Sequence, residues 1–124
     1  MVNKLKEARK ELKKKDKEWA IAIKKKFNNK CIVCGKKERL NAHHIIPREI
    51  KESRHDLRNG IALCPKHHRF SFELSAHQNP FAFMIFLFYT YPEVFEEASN
   101  LNFNMEVMKK WKKTSMKQRL LKKL

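Results

Sequence analysis

Apolar positions in the first quarter of the chain recur at helical spacing. Leu5, Ala8, Leu12, Trp19, Ile23 and Phe27 fall close to one face, and the residues between them are mostly lysine with a few glutamates. The pattern predicts a helix over residues 4–27, ended by Asn28-Asn29. Beyond it the apolar runs are short. Residues 31–35 (Cys-Ile-Val-Cys-Gly) read as a knuckle in which Gly35 permits a tight turn behind the second thiol. Residues 40–46 read as a strand stopped by Pro47, and residues 49–57 as a polar loop or short helical turn. Asn59-Gly60 marks a turn before a second apolar strand, Ile61-Ala62-Leu63. Pro65 suits the first turn of a helix. Asn79-Pro80 then pairs an N-cap residue with proline at the first helical position. The aromatic-rich segment 80–91 has no polar punctuation, so it reads as a buried helix and not as a stacking platform for bases. Pro92 opens a short helix through Ala98. Asn104 caps a basic helix over 105–123, with Met105, Met108, Trp111 and Leu120 toward the core.

Charge sharpens this picture. The chain has 124 residues and a net charge of +16. That length fits one domain with a modest core, which a structural metal would help to hold. So positive a surface attracts polyanions, nucleic acid first among them, although anionic membranes and acidic proteins share the attraction. Lysine runs at 13–15 and 24–26 serve equally as a solvated helix face or a phosphate-binding ridge, and the same holds for the basic C-terminal segment. The three cysteines cannot all pair within one chain, and the Lys-rich N-terminus has no apolar signal core. The most apolar stretch, residues 81–91, is too short to span a bilayer. These features point to a reduced, cytoplasmic compartment with no membrane partner.

Two constellations carry the chemistry. Cys31-x-x-Cys34 and Cys64-x-x-His67 are two ligand pairs with the two-residue spacing that lets both side chains of a pair reach one ion. Three cysteines and one histidine make a closed zinc site, structural and not catalytic. His67 and His68 are adjacent and either could be the fourth ligand; the spacing favours His67. His43, His44, His68 and Asn59 are then left over. Hydrolysing a phosphodiester needs a base for water and a cation opposite the phosphate, both rigidly placed, and neutral imidazole can serve either need. Neighbouring residues on a strand face opposite ways, so His43 and His44 should divide the two tasks.

Ala42-His43-His44-Ile45-Ile46-Pro47 followed by Asn59-Gly60-Ile61-Ala62-Leu63-Cys64-Pro65-Lys66-His67-His68 resembles the His-Asn-His (HNH) endonucleases of ββα-metal fold. The resemblance covers about residues 31–80. It implies that His44 is the general base, that His43 and His68 bind the catalytic metal, and that Asn59 pins the loop between the strands and so orients His44. It also implies one structural Zn²⁺ and one catalytic divalent ion (Mg²⁺, Mn²⁺, Ni²⁺ or Zn²⁺), double-stranded DNA as substrate, and 3′-hydroxyl and 5′-phosphate products. Small free-standing members resemble phage-encoded proteins that act with a packaging motor, which adds packaging or recombination proteins as partners.

The chain departs from the family pattern in two places. His67 stands where cysteine is common, and Phe72 stands where many members have a further histidine. Similar small members carry Ala-His-x-Asn-Pro, so residues 69–75 read as an insertion and His77 as the third metal ligand. His55 fits no motif position and reads as a surface loop residue. The expected architecture is a mainly helical α+β fold in a single domain, residues 1–124. It comprises a basic N-terminal helix (1–30), an HNH core (31–80) and C-terminal helices (81–124). Lys13, Lys14, Lys24, Lys25, Arg48 and Arg69 are the candidate DNA contacts. The rival reading is a non-catalytic, zinc-stabilised nucleic-acid-binding module or an accessory subunit of a packaging or recombination complex.

Overall fold

A computed structural model describes residues 2–102; the expected helix over 105–123, with its methionines and Trp111, lies outside the described residues. Helix α1 runs Val2–Lys26. It ends where Asn28 and Asn29 adopt positive φ (58° and 53°), a conformation asparagine tolerates better than most residues. The Asn29 N–H then closes the last turn onto the Lys24 carbonyl at 2.8 Å. Only the C-terminal half of the apolar stripe is used: Trp19 and Ile23 are buried, whereas Leu5 is 61% exposed and Leu12 39%. The reason is length. A helix of 25 residues extends about 37 Å, whereas a three-residue strand extends only about 10 Å, so among the described residues α1 overhangs the body it packs on.

Strand β1 (Asn41–His43) pairs antiparallel with β2 (Ile61–Leu63), in the register Asn41 to Leu63, Ala42 to Ala62 and His43 to Ile61. The first strand is shorter than the expected 40–46. The Asn59 side chain takes both backbone groups of Ile46, accepting from its N–H at 2.6 Å and donating to its carbonyl at 3.1 Å, so the chain leaves the ladder before Pro47. All of β2 is buried, and Ile61 and Leu63 anchor a core with Cys31, Ile32, Cys64, Ala76, Phe83, Leu87 and Val94. Each large apolar side chain there contributes about 1.5–3 kcal/mol by leaving water.

A short helical turn, Lys66–Phe70, follows Pro65. Helix α2 (Pro80–Thr90) begins as its sequence requires, with Asn79 Oδ1 accepting the Ala82 N–H at 3.2 Å. Its burial differs from expectation. Phe83 and Leu87, one turn apart, face the core, whereas Phe81, Met84, Ile85, Phe88 and Tyr89 are exposed. Among the described residues, the body beneath covers one side of the helix. Helix α3 (Pro92–Asn102) continues past the expected end at Ala98 and buries Val94 and Ala98. At the α2–α3 corner, the Tyr91 hydroxyl donates to the Ile32 carbonyl at 2.6 Å and ties the helices to the cysteine knuckle. The whole is a mainly helical α+β fold around a two-stranded hairpin and a helical turn, the ββα-metal arrangement. No helix among the described residues is long and apolar enough to cross a membrane.

Candidate functional site

The two cysteine-histidine pairs converge. One ligand atom from each of Cys31, Cys34, Cys64 and His67 lies within 4.8 Å of all the others. Cys34 Sγ is 3.7 Å from Cys64 Sγ, and His67 Nδ1 is 3.3 Å from Cys64 Sγ and 3.9 Å from Cys31 Sγ. Zinc bonds of about 2.3 Å to sulfur and 2.0–2.1 Å to nitrogen give tetrahedral edges of about 3.5–3.8 Å, so these spacings fit a zinc ion. The knuckle backbone prepares the first thiolate. Burial opposes ionisation of Cys31, yet backbone N–H groups of Cys64, Cys34 and Val33 outweigh it and lower its pKa below the ordinary thiol value. Gly35, at φ 77°, makes the turn that brings its own N–H to the Cys31 carbonyl at 2.9 Å.

His43, His68 and His77 form the second group, again with ligand atoms within 4.8 Å of one another. His68 Nε2 and His77 Nε2 are 3.1 Å apart. Two nitrogens bound at about 2.1 Å to one ion lie about 3.0–3.4 Å apart, so this pair also fits a shared cation. The backbone explains how His77 arrives. In an uninterrupted α-helix the carbonyls of His67 and His68 would accept from the residues four positions on, Ser71 and Phe72. Here the Ser71 N–H turns back to Lys66, and Ala76 and His77 donate to His67 and His68 at 2.9 and 3.0 Å. Residues 71–75 are looped out, and His77 takes the place one turn beyond His68. The expected insertion, 69–75, is therefore shorter.

Burial sets the protonation of this group. It lowers the pKa of His43 to about 3, assisted by the charges of His68 and His77, and that of His68 to about 4, assisted by His77 and Arg69. Burial, then Arg69, lowers His77 too. All three imidazoles are neutral near pH 7 and offer lone pairs to a cation.

His44 sits just past the end of β1 and has partners of its own. Its Nε2 is 2.9 Å from the Arg54 carbonyl. A carbonyl can only accept, so Nε2 carries the proton and Nδ1 keeps its lone pair. Burial lowers the His44 pKa, against the opposing pull of that hydrogen bond. One face of the ring stacks on Trp19, with centroids 3.8 Å apart and planes 8° from parallel. Asn59, fully buried, holds the intervening loop by its bonds to Ile46 and a third to the Ser53 carbonyl at 3.1 Å. His43, His44, His68 and His77 line one open cleft of about 530 Å³, with Arg48 and Arg69 also on its walls. Lys13, Lys14, Lys24 and Lys25 lie along α1, outside this cleft.

Two arrangements lie beyond the sequence reading. His55 is not a free surface residue: its Nε2 is 2.7 Å from Asp16 Oδ1. Trp19 is more than a core residue, since it is the stacking partner of His44. The available signal was Asp16 itself, the lone aspartate of α1, one turn before Trp19.

Residues 31–69 match the family model described as HNH endonuclease. Over that stretch the chain is thus similar to an HNH domain. The match takes in both ligand pairs, His43, His44, Asn59 and His68, and it stops where the chain loops out before His77. No curated protein and no solved structure matches the chain significantly.

Proposed function

We propose that the protein is a metal-dependent endonuclease that hydrolyses or nicks phosphodiester bonds of double-stranded DNA, with His44 as general base. The observation that carries this reading is one shared cleft. His44, whose Nε2 is engaged by the Arg54 carbonyl and whose Nδ1 keeps its lone pair, lines the same cleft as three neutral imidazoles able to hold one divalent ion. His44 Nδ1 accepts a proton from water, and the Arg54 carbonyl, receiving the Nε2–H, steadies the imidazolium that forms. His43, His68 and His77 would hold a divalent ion, which would supply positive charge to offset that developing on the phosphate and the departing oxygen. Imidazole ligands suit Zn²⁺, Ni²⁺ and Mn²⁺ better than a dedicated Mg²⁺ site, but coordination positions left to water keep Mg²⁺ in the set. Arg48 and Arg69 neutralise the phosphate backbone at the rim, and Lys13, Lys14, Lys24 and Lys25 extend that contact along α1. Cys31, Cys34, Cys64 and His67 would hold a structural zinc, which would join the knuckle to the helical turn that bears His68.

A second reading draws on α2. Its exposed stripe, Phe81, Met84, Ile85, Phe88 and Tyr89, suits a protein partner, as an accessory subunit of a packaging or recombination complex would require. The test is cleavage of supercoiled plasmid by zinc-loaded protein, with Mg²⁺, Mn²⁺, Ni²⁺ or extra Zn²⁺ added in turn after chelation of the histidine cluster. Cleavage that returns with an added ion, and is lost in His43→Ala, His68→Ala and His77→Ala, supports the nuclease. DNA binding with no cleavage under any ion favours the accessory module.

A further inference from the structure

Helix α1 does more than present lysines. Three consecutive residues of the loop that receives the His44 proton are tied to two of its side chains. Asp16 takes Arg54 in a two-pronged pair, Nε to Oδ1 at 2.9 Å and Nη2 to Oδ2 at 2.7 Å. The same carboxylate meets His55 Nε2 at 2.7 Å. Trp19, one turn along on the same face, donates its indole N–H to the Asp56 carbonyl at 3.1 Å. Arg54 is the residue whose carbonyl fixes the His44 tautomer, and Trp19 is the ring stacked on His44. Two degrees of freedom are thereby removed. The clamp on Arg54 sets where the acceptor carbonyl sits, and the stack sets the plane in which the imidazole turns. Neither Asp16 nor Trp19 lines the cleft, so neither is placed to touch substrate.

We propose that Asp16 and Trp19 are positioning residues for His44, so that the N-terminal helix belongs to the catalytic apparatus. The inference rests on the nuclease reading above. A bidentate Arg–carboxylate pair fixes geometry better than a single contact, and misplacing a catalytic group by about 1 Å lowers turnover by roughly 100-fold.

The test is steady-state cleavage by the zinc-loaded full chain and its variants Asp16→Asn, Trp19→Leu and Trp19→Phe, with fraction folded and DNA affinity measured in parallel. Per folded molecule, Asp16→Asn and Trp19→Leu lower kcat by about 10- to 100-fold while KM and DNA affinity stay within about twofold. Trp19→Phe, which keeps a ring against His44, recovers most of the loss relative to Trp19→Leu. Should Trp19→Leu fail to fold, Asp16→Asn, whose side chain is a third exposed, carries the test alone. Wild-type kcat in folded Asp16→Asn, or a rise in KM with kcat unchanged, overturns the proposal while leaving the nuclease intact. A wild type that cleaves nothing removes the nuclease reading and this proposal with it.

Discussion

Asn59 offers the sharpest check on how the fold holds its loop. Its side chain is 0% exposed and makes three hydrogen bonds, from the Ile46 N–H at 2.6 Å and to the carbonyls of Ile46 and Ser53 at 3.1 Å each. Asn59→Ala leaves one buried N–H and two buried carbonyls without these partners. At about 1–3 kcal/mol for a group orphaned in the interior, with partial relaxation, the cost is about 3–5 kcal/mol. Asn59→Asp is nearly isosteric yet costs at least as much at pH 7. It keeps the acceptor for Ile46 but replaces a double donor by a carboxylate oxygen facing two carbonyls. Burial and those carbonyls raise its folded pKa above the unfolded value of about 3.9. The Asp variant is therefore at its best below that value and loses stability as pH rises, by about 1.4 kcal/mol per unit, until the folded pKa is passed. Urea unfolding of zinc-loaded wild type and both variants between pH 5.5 and 8, compared at equal m-value, reads these differences directly. Asn59→Asp within about 0.5 kcal/mol of wild type at pH 7 would refute the reasoning.

Other perturbations test other parts of the structure. A β-carbon on Gly60 would lie 2.7 Å from Trp19 Cζ2 and from Ile23 Cδ1, so Gly60→Ala must displace those side chains and should cost about 1–3 kcal/mol in thermal or urea unfolding; an unchanged Tm counts against their tight seating on Gly60. Because zinc binding in such sites is worth about 10 kcal/mol or more and domain stability about 5–15 kcal/mol, strong chelation or Cys64→Ser should abolish cooperative unfolding. Native mass spectrometry should find one tightly held zinc per chain, and a folded metal-free Cys64→Ser would contradict the site. With the histidine cluster metal-free, His43 at about 3 and His68 at about 4 lie below their unfolded value, which is about 6.5. Their contribution to stability is then complete above pH 6.5 and falls on acidification by about 1.4 kcal/mol per unit and group, towards those lower values. His43→Asn should flatten that decline, and a wild type that gains stability between pH 6.5 and 5 would contradict the burial assigned to the cluster.

Much of the site was legible in the sequence because it depends on short spacings. The pairs Cys31-x-x-Cys34 and Cys64-x-x-His67 place their ligands within single turns, and Asn79-Pro80 carries its own helix-start geometry. The remainder depends on contacts across long separations. Nothing local in residues 44–60 states that Asn59 will take both backbone groups of Ile46, so the expected strand ran too long. An all-apolar segment such as 80–91 has no polar side to orient it, and its exposed stripe emerges only once one face has been covered. The stripe of α1 is correctly helical, yet among the described residues no body packs on its outer half. Asp16 reads as one acid in a lysine-rich helix until the loop carrying Arg54, His55 and Asp56 folds onto it. His77 illustrates both sides: the motif around it suggested a ligand, but only the backbone bonds from Ala76 and His77 to His67 and His68 explain how a residue so far along stands one turn beyond His68.

The most direct measurement is cleavage of supercoiled plasmid by wild type and His44→Ala, at matched structural zinc and matched DNA occupancy, with a saturating divalent ion. Loss of a general base lowers turnover by about 100- to 10,000-fold, so His44→Ala should bind DNA as wild type does and leave the plasmid supercoiled. Cleavage by His44→Ala at the wild-type rate would contradict the assignment of the base.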